Sequence, residues 1–261
     1  MTTILKLGGS LITDKREERS YRGDVVARLA GEIASALDEN PSRLLIGHGS
    51  GSFGHFAAQR HGTMDGVQSA AEWRGFAEVA TIAAELNGLV AATLHTAGVP
   101  VWRIQPSASA ICEDGVIMGM ALPIIHIALS NGLVPLLYGD VALDVVRGGT
   151  IISTESIIRY LAANSRIDRV ILLGEVPGVL SADGAVIPHI TPQNIGAYQS
   201  ALGGSAGVDV TGGMYTKVMD MLQIAQVGGG VPVDIIDGRE AGLLRDALLG
   251  REVGGTRITA G

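Results

Sequence analysis

The stretch Thr3–Lys15, TILKLGGSLITDK, decides how the rest of the chain is read. Its first half is a run of apolar, partly β-branched residues that stops at Gly8-Gly9, the pattern of a short strand ending in a tight turn. The pattern recurs. RLLIGH (43–48) runs into the Gly/Ser-rich GHGSGSFGH (47–55), LVPLLYGD (133–140) reaches Gly139, and RVILLG (169–174) reaches Gly174. VPVWRIQ (99–105), VPVDIID (231–237) and GTRIT (255–259) read as further strands.

Helical patterns fill the intervals. In residues 24–39, Val25, Val26, Leu29, Ile33 and Leu37 share one face. A long helical region from about Ser69 to Ala97 follows, with Gly75 and Gly88 as candidate breaks. LPIIHIALSNG (122–132) is a helix closed by glycine. LDVVRGGTIIS (143–153) reads as turn-rich, before helices in TESIIRYLAAN (154–164), GGMYTKVMDMLQIAQVGG (212–229) and EAGLLRDALLG (240–250). Strands joined by helical crossovers predict an α/β three-layer sandwich with a mainly parallel central sheet. Without a linker or compositional break, residues 1–261 are expected to form a single domain. It divides into an N-terminal lobe, approximately 1–165, and a C-terminal lobe, approximately 166–261.

Composition narrows the function classes. A net charge of -7 argues against general affinity for nucleic acid or anionic membranes, so any bound anion needs a local site. The single cysteine, Cys112, excludes an internal disulfide framework and a cysteine-based zinc site, and reads as a small core residue. No signal peptide is evident, and no apolar run approaches the ~20 residues of a membrane span. A cytoplasmic protein is expected.

The chemistry is concentrated in three glycine-rich segments: Gly8-Gly9-Ser10, Gly47–His55 and TGGMYTK (211–217). Glycine lets the backbone approach an oxyanion closely, so that successive N–H groups can face phosphate. Any one of these loops is explained equally well as an ordinary turn. The basic residues shift that balance, because sixteen of nineteen are arginine and the three lysines, Lys6, Lys15 and Lys217, all fall in or close to the glycine pairs. Lysine supplies a compact, mobile ammonium where arginine supplies a planar fork. Three such charges converging on glycine cradles suit phosphoryl transfer, which depends on positioning and charge neutralisation.

Other nucleotide motifs fit less well. GSGSFG (49–54) matches G-x-G-x-x-G, but the first strand of a dinucleotide-binding unit normally carries that fingerprint, and neither Asp65 nor Glu72 clearly closes a second strand. No G-K-[ST] follows any glycine run, which excludes a Walker P-loop. His61, His95, His126 and His189 lack metal-ligand spacing, and His48 is expected to pack near a strand end. Trp73, Phe76, Val79 and Ile82, spaced by threes, suit core or an apolar ligand pocket. Asp140 either organises a site or caps a turn.

Together LKLGGS, GHGSGSFGH, YGDV, DVTGGMYTK and the final GTRIT resemble the amino acid kinase superfamily, in order and almost end to end. GSFGH with the lysine of LITDK is similar to its isopentenyl phosphate kinase branch, with fosfomycin kinases as near relatives. The resemblance implies transfer of a phosphoryl group from ATP to isopentenyl phosphate, with the acceptor in the N-terminal lobe and ATP in the C-terminal one. It implies Lys6, Lys15 and His55 as catalytic residues. Lys6, Gly8, Gly9, Ser10, Ser50, Gly213 and Lys217 would contact ATP, and Gly49, Gly54, His55 and Gly139 the acceptor. Mg²⁺ would be held mainly by phosphate oxygens, with no metal-ligating residues of the protein, and a homodimer is expected. A fosfomycin or other small-acid kinase and a non-catalytic nucleotide sensor on the same fold are the alternatives. Two departures stand out. Ser153-Thr154-Glu155 replaces a common Ser-Gly-Asp, which puts a lysine-organising role for the acidic residue in question, and GEVPGV (174–179) has Pro177 where aspartate is common.

Overall fold

The computed structural model describes residues 1–199, 214–227 and 229–261. Its elements follow in the order β1 (Thr2–Leu7), α1 (Gly9–Ile12), α2 (Gly23–Glu39), β2 (Arg43–His48), α3 (Gly51–His61), α4 (Ala70–Thr96), β3 (Val101–Arg103), β4 (Ile111–Glu113), β5 (Val116–Gly119) and α5 (Leu122–Ser130). Then come β6 (Val134–Tyr138), β7 (Asp140–Asp144), β8 (Gly148–Ile152), α6 (Thr154–Asn164), β9 (Arg169–Gly174), β10 (His189–Ile190), α7 (Met214–Gln226), β11 (Val233–Asp237), α8 (Leu243–Leu248) and β12 (Thr256–Ile258).

Eight strands form one sheet in the order β10-β12-β11-β9-β1-β2-β6-β3. Every neighbouring pair is parallel except β11 with β12, which agrees with the mainly parallel sheet expected from the crossovers. Alternation along the central strands builds two cores. Ile4 and Leu45 face one cluster, which takes Ile157, Leu161, Val218 and Leu222 from α6 and α7. Leu5, Leu7, Leu44 and Ile46 face the other, which takes Val26, Leu29, Ile82, Leu86 and Leu244 from α2, α4 and α8. The three layers follow directly from this side-chain period of two.

Several expectations are corrected. Residues 143–153 are no mere turn: β7 and β8 form an antiparallel hairpin within a second, four-stranded sheet, β5-β4-β7-β8. Helix α4 runs unbroken past both Gly75 and Gly88, because His61 packs against the missing side chain of Gly75 and the helix is entered through a Ser69–Glu72 capping box. By length and hydropathy alone this helix is also long enough to cross a membrane, contrary to the expectation that no apolar run approaches a membrane span. Its Val79, Ile82, Leu86, Val90 and Leu94 are instead buried in the second core.

The topology positions the site. Strands β1, β2, β6 and β9 are parallel and end at one edge of the sheet, each followed or closed by glycine: Gly8, Gly49, Gly139 and Gly174. Chain order reverses at β1, whose neighbours are β2 on one side and β9 on the other. Ligand crevices of open α/β sheets lie at such reversals, outside the carboxyl ends of the strands.

Candidate active site

At that reversal the first two glycine turns cross at close range. A Cβ on Gly9 would stand 2.7 Å from the Gly51 nitrogen, and Gly51 itself, at φ +50°, has Gly9's carbonyl oxygen 2.8 Å from where a Cβ would be. Thr13 ties them, donating its hydroxyl to the Gly9 carbonyl (2.7 Å) and accepting the Ser52 N–H (2.9 Å). Gly8 donates to the Leu173 carbonyl at 2.8 Å and so pins the turn to β9. The N–H groups of Gly9, Ser10, Ser50 and Gly51 have no acceptor among the described residues.

These turns floor a cleft of about 880 Å³. Lys6, Lys15 and Lys217 all line it, arriving from β1, the segment after α1, and α7. So do Gly8, Gly9, Ser10, Gly49, Ser50, His55 and Gly139. Gly54 does not. It is buried in α3, where a Cβ would stand 2.5 Å from Ser50's, so its bareness lets Ser50 lie flat on the helix. Gly213 lies outside the described residues. His55 is exposed on α3, one turn beyond the Gly49–Gly51 turn.

Glu155 answers the question its substitution raised. Its Oε1 accepts from the Lys6 Nζ at 2.6 Å, so the longer carboxylate still holds the lysine. Burial pulls the Glu155 carboxyl upward, but the Lys6 charge and hydrogen bond, with lesser help from Lys217, bring it below the ordinary glutamate value. Lys217 is held below the ordinary lysine value by burial first, then by the charges of Lys15 and Lys6, while Glu155 opposes the drop. These couplings place the three ammonium groups in one electrostatic neighbourhood. Asp220 on α7 sits behind the pair, in a side pocket with Ser153, Ser156 and Arg159. Burial and the nearby Glu155 raise its pKa.

Pro177 is exposed in the bend after β9 and is not among the cleft residues, which end at Val176 on that side. Nor do Trp73, Phe76, Val79 and Ile82 line the cleft. Val79 and Ile82 are core, and Trp73 packs edge-on against Phe76 with ring centroids 5.3 Å apart. The apolar wall beside His55 comes from Phe56, Met64 and Ile151, and the far wall from Leu172, Val176, Met214 and Met221. None of these carried a sequence signal, since isolated apolar residues next to a turn look like core. Asp140 is buried under Gly139, its carboxylate accepting the Ser107 and Val141 N–H groups at 3.0 and 2.9 Å. Burial raises its pKa against those bonds.

A parallel-sheet crevice with unpaired backbone N–H groups and convergent lysines defines a class: an α/β phosphate-binding protein. The sequence profile of the amino acid kinase family matches residues 1–237, and the chain belongs to that family. It is 36% identical over 265 residues to the isopentenyl phosphate kinase of Methanocaldococcus jannaschii, covering 99% of this chain and 98% of that one. It is 37% identical over 266 residues to that of Methanothermobacter thermautotrophicus, covering 98% of each. A crystal structure of isopentenyl phosphate kinase superimposes with a TM-score of 0.83 at 33% identity, covering 99% of this chain and all of that one.

The lysine cluster is directly measurable, because three lysines and the N-terminus are all that reductive methylation with ¹³C-formaldehyde would label. Glu155→Gln removes the charge that opposes the drop at Lys217, so the Lys217 titration should move further down in the NMR spectrum. An upward or absent shift would show that the two do not interact.

Proposed function

We propose that this protein transfers the γ-phosphoryl group of ATP to isopentenyl phosphate, giving isopentenyl diphosphate and ADP. The observation that carries the reading is the convergence of Lys6, Lys15 and Lys217 on one cleft floored by glycine turns and walled by apolar side chains beside His55. Relatives of nearly equal length carry that activity in their names.

The acceptor is a phosphate monoester with a second pKa of about 6, so it is already a nucleophilic dianion at neutral pH. An acceptor phosphate oxygen forms the new bond to the γ-phosphorus as the bond to the β,γ-bridging oxygen breaks, and ADP leaves with that electron pair. No proton has to move, and a general base is unnecessary. The barrier is repulsion between two polyanions, which positioned cations offset. Lys6, steadied by Glu155, stands between donor and acceptor. Lys15 takes the charge that develops in the transition state, and Lys217 the ATP end. Gly8, Gly9 and Ser10 cradle the ATP phosphates and Ser50 the nucleotide. His55, Gly49 and Gly139 hold the acceptor phosphate, and Gly54 serves by letting Ser50 close on α3. The acceptor then sits in the N-terminal lobe, up to about residue 165, and ATP in the lobe beyond it, with the Gly8–Ser10 and Ser50 turns reaching the ATP phosphates from the N-terminal side.

Phe56, Met64 and Ile151 offer the five-carbon tail an apolar wall, which favours it over the small epoxide of fosfomycin. No cluster of three His, Cys, Asp or Glu among the described residues could cage a metal ion. The cleft carboxylate nearest the lysines, Glu155, is engaged by Lys6, and the ion of MgATP would be held mainly by phosphate oxygens and water, as this hard cation tolerates. The reading places the enzyme in the cytoplasm. It is also a homodimer. Trp102 on the edge strand β3, Ile124 and Ile127 on α5, and Leu133 before β6 are exposed apolar residues at one end of the sheet, suited to a second copy.

A coupled ADP-release assay should show turnover with isopentenyl phosphate well above dimethylallyl phosphate, fosfomycin or acetylglutamate. ATP binding without turnover on any of them would mark a nucleotide sensor. Lys15→Met should lower kcat by a factor of about 10² or more with the fold intact by circular dichroism, since one charge contact to the transition state is lost. Unchanged kcat removes Lys15 from the chemistry. His55→Ala should abolish most turnover while ATP affinity, read by calorimetry, stays put. If ATP affinity collapses instead, His55 is not on the acceptor side. Light scattering on the eluting protein should give twice the 26.9 kDa chain mass, and Ile127→Glu should reduce it to one.

A further inference from the structure

His48 ends β2 directly before the cleft-lining turn, is fully buried, and has no role in the chemistry above. Its Nδ1 lies 3.0 Å from the Gly49 carbonyl oxygen, and its Nε2 lies 3.1 Å from Asn87 Nδ2. Asn87, in turn, accepts at Oδ1 from the Arg103 Nε at 2.8 Å. Asn87 is also fully buried, midway along the 27-residue α4, where asparagine is a poor helix former and an unpaired amide is costly.

The direction of this chain is dictated from its outer end. Arginine can only donate, so Asn87 Oδ1 must accept and Asn87 Nδ2 must donate inward. His48 Nε2 therefore has to be the bare, accepting nitrogen, and the proton resides on Nδ1, which donates to the Gly49 carbonyl. The ring is neutral. Burial drives its pKa down to about 4, the bond to Gly49 opposes this, and the charge of Arg103 adds to the drop. Tyr138 stacks on the ring at 5.7 Å, and the His48 carbonyl is held by the Thr154 hydroxyl at 2.7 Å.

With the Gly49 carbonyl held on the buried ring, the planar trans peptide directs the Ser50 N–H the opposite way. Ser50 lines the cleft, and its N–H is one of the four without an acceptor among the described residues. We propose that Arg103, Asn87 and His48 are positioning residues: a one-way hydrogen-bond relay that fixes the His48 tautomer and so presents the Ser50 N–H to a phosphate oxygen of the bound reactants. The ligand chemistry is a phosphate oxygen, and its source is either ATP or the acceptor. The inference rests on the kinase reading for its kinetic consequences only.

Two measurements on the full chain test it. Long-range ¹H–¹⁵N correlation NMR on the wild-type protein should show a protonated Nδ1 and a bare Nε2 on His48. A proton on Nε2 would overturn the relay whatever the protein's activity. His48→Leu should raise the KM of one reactant about ten- to a hundredfold, the worth of a hydrogen bond to a charged group, with a much smaller change in kcat. A rise for ATP assigns the Ser50 N–H to the nucleotide, and a rise for isopentenyl phosphate assigns it to the acceptor. His48→Asn, whose short amide can return a donor to the Gly49 carbonyl, should recover most of the loss. Equal KM values in both variants and wild type would refute the proposal, as would an asparagine variant no better than leucine. If wild type does not turn over isopentenyl phosphate, the kinase reading fails. The relay is then judged by the NMR result and by the same comparison of variants using Kd for ATP.

Discussion

Three ammonium groups in one cleft repel one another, and the carboxylate of Glu155 makes their gathering tolerable. It grips Lys6 at 2.6 Å from the first turn of α6, where a negative charge also faces the positive end of the helix. Lys6 is on the central strand, so this one pair fastens α6 to β1 beneath the cleft. The pair is partly buried, and its worth lies less in stability than in orientation, because desolvation consumes much of the Coulombic gain. What it fixes is a lysine with a defined position between strand and helix, and the other two ammonium groups stand around it with their charges only partly balanced. That residual positive potential is available to an incoming polyanion.

The backbone meets a matching constraint. Two turns from adjacent parallel strands pass within contact distance, which brings their N–H groups without acceptors side by side. Side chains at Gly9 or Gly51 would force them apart, and Thr13 then locks the crossing with bonds to both turns. Charge and backbone are thus organised by neighbouring parts of the same strands, and a shift in β1 relative to β2 would disturb both together.

Legibility in the sequence followed the physics of each feature. The parallel sheet was readable because buried strands are continuous apolar runs punctuated by glycine. The lysines were readable because the chain otherwise uses arginine. The β7–β8 hairpin was missed because its Gly148-Gly149 and polar neighbours look like turn, whereas β7 pairs on both edges and buries Val141 and Ala142. Phe56, Met64 and Ile151 were missed because cleft walls and cores are built from the same residue types. The pairing of Glu155 with Lys6 spans 149 positions, and no local pattern encodes it. Gly54 lies off the cleft lining, and the packing role of its missing side chain, which accommodates Ser50, is one that a glycine in a loop motif does not announce.

The division of labour between the two basic residue types is the last consequence. Arginine carries nearly every ion pair among the described residues, including the buried Arg169–Asp234 and the Arg22–Glu175 contact at the cleft rim. These are fixed, planar pairings that tie helices and loops to the sheet. Among the same residues no carboxylate lies within ion-pairing distance of Lys15 or Lys217, and both line the cleft. A guanidinium in their place would be drawn to carboxylates such as Glu155 or Glu175 and held in a plane. Of the three lysines, the fold neutralises Lys6 through Glu155 and, among the described residues, leaves Lys15 and Lys217 on the cleft without a carboxylate partner.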